Sequence, residues 1–221
     1  MNEASTLKTK KKFAVLISGR GSNMTALLEA AKEPSFGAEL VLVFSNKADA
    51  LGLVSASQAG IPTLSISHFG YASREEFDQA LDTALVDADV DIVCLAGFMR
   101  LFSESFVTKW TGRLINIHPS LLPSFPGLDV QQKALDAGVR FAGCTVHFVD
   151  AGTDTGPIIG QAVVPVSPND DEASLSARIL QQEHRLYSHC LDLVAKGQIW
   201  LENGVVCYAT DFRTDESLSL P

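Results

Sequence analysis

Phe13-Ala14-Val15-Leu16-Ile17-Ser18-Gly19-Arg20-Gly21-Ser22-Asn23 sets an apolar run against a glycine-rich turn, and a helical pattern begins near Met24. An unbroken apolar run of this length fits a strand covered on both faces, as in parallel sheets. Glycine lets the following turn bend tightly, and free N–H groups at a helix N-terminus can hold an anion. The stretch therefore reads as strand, phosphate loop and helix. A plain strand-to-helix turn, with Ser22 and Asn23 as N-cap residues, accounts for the same pattern and stays open. The dinucleotide fingerprint is incomplete, because Met24 stands where a third glycine belongs and Ser45-Asn46-Lys47 supplies no acidic residue after the second strand. A monophosphate fits the loop better than NAD.

Working outward, Leu40 to Phe44, Thr63 to Ile66, Ile92 to Ala96 and Leu114 to Ile117 read as further strands, with helices in the gaps. The best marked helix runs from about Ser73 to Ala88: Ser73 and Glu76 make a capping-box pattern, and Phe77, Ala80, Leu81, Ala84 and Leu85 form one stripe. This alternation predicts an α/β fold, a Rossmann-like doubly wound and mostly parallel sheet. Beyond Pro126 the rhythm changes. A helix near Leu128 to Asp136 precedes strand-like runs at Gly143 to Val149 and Pro157 to Pro165, which add an antiparallel C-terminal extension. A helix from about Glu172 to Ala195 and an Asn203-Gly204 hairpin within Gln198 to Ala209 follow.

The chain of 221 residues, 46% hydrophobic, suits a single domain, expected over 13–213 between flexible tails at 1–12 and 214–221. Its net charge of -9 without a basic patch argues against nucleic acid and anionic membranes as main partners. Cys94, Cys144, Cys190 and Cys207 lie apart in apolar segments, the pattern of buried thiols in a reducing compartment. The lysines at 8 and 10–12 precede an apolar run only one strand long, so they read as a solvated tail rather than a signal segment. No apolar run approaches the ~20 residues of a membrane span. A cytoplasmic location is expected.

Leu114 to His118 carries the second informative feature. A period of two places Asn116 and His118 on one surface, with Ile115 and Ile117 on the other. Pro119 lacks the N–H to continue pairing and should end the strand with its histidine at the rim, where open α/β sheets bind ligands. Asp154 follows in a turn, Gly152-Thr153-Asp154-Thr155-Gly156-Pro157. Together these residues suit acyl transfer to an amine. Asn116 and His118 can donate to an oxyanion, while Asp154 can orient His118 or accept the amine's proton. An Asn-x-His pair can equally be a satisfied polar pair, and Asp154 an ordinary turn residue. Cys144, His147, Asp150 and Asp154 form no paired ligand motif, so no metal is expected, and His147 reads as a supporting histidine on its strand. Ser120 lies in no Gly-x-Ser-x-Gly elbow, which makes a serine hydrolase a poor reading.

Ser18-Gly-Arg-Gly-Ser-Asn23, Val43-Phe-Ser-Asn-Lys47, Leu95-Ala-Gly-Phe-Met-Arg100, Asn116-Ile-His-Pro-Ser-Leu-Leu-Pro123 and Asp154-Thr-Gly-Pro157, taken together, closely resemble the phosphoribosylglycinamide formyltransferase family of folate-dependent enzymes. The likeness runs in order from about Lys12 to Trp200. It implies transfer of a formyl group from 10-formyltetrahydrofolate, a co-substrate, to the amino group of glycinamide ribonucleotide in purine biosynthesis. The family's catalytic asparagine, histidine and aspartate fall on Asn116, His118 and Asp154. Its substrate contacts fall on Gly21, Ser22, Asn23, Gln181 and Glu183. Its folate contacts fall on Arg74, on Met99, Arg100, Leu101 and Phe102, and on Asp150, Ala151, Gly152 and Thr153. Residues 13–117 then form a nucleotide-binding half and 118–213 a folate-site and C-terminal half, in a monomer or homodimer. Asp129 departs from the histidine or asparagine common in the family.

The resemblance leaves one close rival. A formyltetrahydrofolate deformylase would use the same polar residues to pass the formyl group to water, although relatives of that kind usually carry an N-terminal regulatory domain. A methionyl-tRNA formyltransferase would usually bring a larger C-terminal domain and basic surface for RNA. A noncatalytic nucleotide-binding protein would explain the glycine loop but not the polar triad.

Overall fold

In the computed structural model, residues 10–209 are described. Of the tails expected at 1–12 and 214–221, residues 1–9 and the whole of the second lie outside them. The chain runs β1 (Lys11–Ile17), α1 (Ser22–Ala31), β2 (Ala38–Ser45), α2 (Leu51–Gln58), β3 (Thr63–Ser65), a 3-10 turn (His68–Gly70), α3 (Arg74–Asp87), β4 (Ile92–Leu95), α4 (Glu104–Lys109) and β5 (Leu114–His118). It continues through α5 (Val130–Asp136), β6 (Phe141–Phe148), β7 (Ile158–Pro165), α6 (Glu172–Ala195), β8 (Ile199–Glu202) and β9 (Val205–Tyr208). Seven strands form one sheet in the order β3-β2-β1-β4-β5-β6-β7. Pairing is parallel from β3 to β5, then antiparallel for β5 with β6 and β6 with β7. This is the Rossmann-like, mostly parallel α/β sheet with an antiparallel extension that the alternation predicts. The strand order reverses between β1 and β4, the topological switch point at which such sheets bind ligands.

Alternate residues of β1 enter separate cores. Phe13, Val15 and Ile17 pack on the face covered by α1 and α6, with Met24, Leu27, Leu186 and Leu191. Ala14 and Leu16 pack on the opposite face, with Phe77, Leu81 and Leu85 of α3 and with Phe106 and Trp110. Both faces are dry, which is why the strand shows no polar alternation. Cys94, Cys144 and Cys190 are buried free thiols, whereas Cys207 on the terminal hairpin is partly exposed. Burial pushes the Cys144 thiol up to about 12, so it is inert as a nucleophile.

Two boundaries and one cap differ from the sequence expectation. Strand β1 starts at Lys11, inside the stretch expected to be tail: Lys11 N–H donates to the Gly37 carbonyl at 2.9 Å and Lys12 N–H to the Asp91 carboxylate at 2.9 Å. A lysine backbone pairs as well as any other while its charged end stays at the surface. Helix α1 starts at Ser22, because Gly21 takes the left-handed N-cap conformation with φ of 76°, leaving Ser22 and Asn23 inside the first turn. At Ser73 half of the capping box forms as expected, Glu76 N–H donating to its hydroxyl, while the Glu76 carboxylate reaches the Ala72 N–H one residue earlier. Helix α6 and the β8–β9 hairpin match their expected positions, with Asn203 and Gly204 both at positive φ.

Candidate functional site

The loops after β1, β4 and β5 meet at the C-terminal edge of the parallel strands. Ser18, at the end of β1, joins them: its N–H donates to the Gly97 carbonyl at 3.1 Å, and its hydroxyl donates to Asn46 Oδ1 at 2.6 Å while accepting from Met99 N–H at 2.9 Å. The glycine loop itself is pressed against α2. Gly52 N–H donates to the Gly19 carbonyl, and a Cβ at Gly21 would stand 3.0 Å from Gly52 Cα. Only glycine meets both that approach and the positive φ. Asn23 then reaches across to α6, where its amide donates to Glu183 Oε2 at 2.7 Å. Burial raises the Glu183 carboxyl above its ordinary range, with the Asn23 bond opposing. Gln181 is exposed on the same helix, so the structure singles out Glu183 as the residue of that segment joined to the loop.

Beside this loop lies a cleft of about 160 Å³ that opens to solvent. Leu95, Phe98, Phe102 and Val107 form its apolar wall, Arg74 and Arg100 carry positive charge there, and the segment from Asp150 to Asp154 covers one side. Phe102 is held by stacking between Phe98 and Phe106, with centroids 5.4 and 4.6 Å apart and nearly parallel rings. Met99 and Leu101 are largely exposed beside the cleft, and Leu101 contributes to its lining while Met99 does not. The cleft takes residues from both sides of position 118, so the expected nucleotide and folate halves share it.

Asn116, His147 and Asp154 meet at one wall of the cleft. Asp154 sits at a positive φ of 56°, a conformation that aspartate tolerates better than bulkier residues. Its Oδ2 accepts from Gly127 N–H at 2.9 Å and stands 3.4 Å from His118 Nδ1, while Oδ1 is 3.9 Å from His147 Nε2. His118 is buried behind Asp154 and does not line the cleft; its Nε2 contacts the Phe125 carbonyl at 3.1 Å. The shared strand face thus holds for Asn116 and His118, but only Asn116 is presented to the open space. His147, read from sequence as supporting, lies opposite Asn116 in the β5–β6 register, with Asn116 Nδ2 3.2 Å from its Nε2. Local sequence cannot show this contact, which depends on how two distant strands align. Gly156 closes the loop behind Asp154: an added Cβ would fall 1.8 Å from the Phe148 carbonyl oxygen. Asp129 is exposed at the start of α5 and makes no side-chain cap bond.

Among the described residues, no group of three or more His, Cys, Asp or Glu side chains is arranged to hold a metal ion, and no helix is long and apolar enough to cross a membrane. The arrangement instead offers an amide donor and a carboxylate acceptor side by side in a largely polar cleft with one apolar wall, next to the glycine loop.

Known proteins resemble this chain in sequence and in fold. The family described as formyl transferase matches residues 11–191. A trifunctional purine biosynthetic protein adenosine-3 from Drosophila melanogaster is 55% identical over 85% of this chain, and the chain spans 14% of that protein's length. A phosphoribosylglycinamide formyltransferase from Escherichia coli is 45% identical, with 85% of this chain and 88% of that protein covered. The crystal structure of glycinamide ribonucleotide transformylase 1 from Symbiobacterium toebii superposes with a TM-score of 0.87 at 46% identity, covering 90% of this chain and 94% of that one. The chain belongs to the formyl transferase family.

Proposed function

We propose that this protein transfers the formyl group of 10-formyltetrahydrofolate to the amino group of glycinamide ribonucleotide, a step of purine biosynthesis, with both ligands held by one chain. The observation that carries this reading is the placement of Asn116 and Asp154 at one wall of a cleft, opposite apolar side chains and beside the Ser18–Asn23 loop. The names of the formyltransferase and transformylase relatives support it.

The folate supplies the formyl carbon as an acylating centre. Arg74, Arg100, Leu101, Phe102 and the loop from Asp150 to Thr153 suit a flat ring with a charged tail, since they combine an apolar wall with guanidinium groups, and Met99 stands exposed beside them. Gly21, Ser22 and Asn23 would hold the ribonucleotide phosphate through N–H groups at the start of α1. Glu183 would accept from the ribose or glycinamide side, and Gln181 is exposed on the same helix.

Asn116 donates an amide N–H to the carbonyl oxygen as negative charge builds there. Asp154 accepts the proton that the attacking amine loses, and that proton passes to the folate nitrogen as its bond to the formyl carbon breaks, which releases tetrahydrofolate. His118 acts behind Asp154: with the Phe125 carbonyl at one ring nitrogen and Asp154 at the other, it holds the carboxylate in place. No covalent nucleophile is needed.

The test is folate turnover with and without the acceptor. Turnover should require glycinamide ribonucleotide and saturate with it. Turnover at the same rate in its absence would replace this reading with a deformylase that delivers the formyl group to water.

A further inference from the structure

We infer that His147 is a positioning residue, which holds the Asn116 amide with its nitrogen aimed so that one hydrogen remains for the cleft; the inference rests on the formyl-transfer reading above. Antiparallel pairing of β5 with β6 sets His147 directly opposite Asn116, and the imidazole is 2% exposed. Its Nδ1 lies 2.9 Å from the Phe148 carbonyl oxygen, which can only accept, so Nδ1 carries the hydrogen. Burial lowers the His147 pKa, against the opposing pull of the Phe148 carbonyl and Asp154, and favours the neutral ring. A neutral ring with hydrogen on Nδ1 presents a bare lone pair at Nε2. The Asn116 atom 3.2 Å from that lone pair must therefore be the donating nitrogen, Nδ2.

This contact uses one of the two amide hydrogens and leaves the other at the cleft wall. Turning the amide over would set the Asn116 oxygen against the histidine lone pair and put an acceptor where the nitrogen now stands. The Asp154 carboxylate, 3.9 Å from Nε2, is too far to displace Asn116 from the ring. The chain Phe148 carbonyl, His147, Asn116 thus transmits hydrogen-bond polarity from strand backbone to the cleft. Asn116 would touch the reacting carbonyl, and His147 acts through it.

His147→Leu removes the acceptor and should lower kcat roughly 10- to 100-fold, the scale of a misplaced catalytic group, while KM for each substrate stays within about threefold. His147→Gln restores an oxygen acceptor and should recover part of the loss. In an Asn116→Ala background neither substitution should cost anything further. A loss in that background as large as in the parent would overturn the inference, since His147 would then act independently of Asn116. Nitrogen NMR of the histidine ring provides a readout apart from activity and from the folding of any variant. It should show His147 protonated at Nδ1 and bare at Nε2, and the opposite tautomer would also overturn the inference. Absence of formyl transfer by the unsubstituted protein would instead sink the functional reading, with the tautomer still deciding the hydrogen-bond assignment.

Discussion

Replacing Asp154 by asparagine removes a charge and a proton acceptor at nearly constant shape. One carboxylate oxygen, Oδ2, meets both the Gly127 N–H, at 2.9 Å, and His118 Nδ1, at 3.4 Å, so an amide oxygen in its place keeps both neighbours and only the charge is lost. Weakening of that buried contact should cost about 1 to 3 kcal/mol of stability, and the protein should still fold. The rate should not survive. A positioned general base contributes roughly 10² to 10⁴ in rate, equivalent to about 3 to 5 kcal/mol of barrier. The loss should fall on kcat, because the cleft wall and the Ser18–Asn23 loop are unchanged. Steady-state formation of formylated ribonucleotide, measured beside a urea melt of the same preparation, separates the two quantities. A folded Asp154→Asn protein with kcat within threefold of the parent would refute proton transfer through this carboxylate.

Glu183 predicts a dependence on pH. Burial raises its folded carboxyl above the unfolded value, so its stabilising contribution is full in acid and is lost as pH rises from the ordinary carboxylate range through the folded value. Glu183→Gln keeps an acceptor for Asn23 and should flatten that slope in denaturation curves taken from acid to neutral pH, while raising KM for the ribonucleotide roughly tenfold, the scale of one charged hydrogen bond; an unchanged slope would show that this carboxyl is not the group responsible. Gly156→Ala drives a Cβ into the Phe148 carbonyl and should destabilise by about 1 to 3 kcal/mol, while displacing Asp154 and lowering kcat. Urea melts that match the parent would show that the loop yields freely. Tyr187→Phe removes a hydroxyl that lies 3.0 Å from both the Leu95 and the Ile115 carbonyls in the core, and should cost about 1 to 3 kcal/mol with little effect on KM.

Features set by local chemistry were readable in the chain. Helix α6 spans the range expected of it, and Asn203-Gly204 turns the terminal hairpin, because helical pattern and turn preference act within a few residues. The β1 strand and its glycine loop were readable for the same reason, although Gly21 moved the helix start to Ser22 by taking the cap position itself. Asn116 and His118 share a strand face as a period of two requires. Which of them opens onto the cleft was not legible, since that depends on Asp154 and Phe125 arriving from other loops. The His147 contact was hidden for a related reason: a one-residue slip of β6 against β5 would have turned the ring to the opposite face. The resemblance named Met99 with Leu101 and Phe102, yet loop geometry places only the latter two against the cleft.

The central claim is that the formyl group ends on an amine. Labelling the formyl carbon of 10-formyltetrahydrofolate and following the label after one turnover in the presence of glycinamide ribonucleotide tests this most directly. The account predicts label in the formylated ribonucleotide in proportion to the folate consumed, with none beyond background in free formate. Label recovered as formate, with the ribonucleotide unmodified, would contradict it.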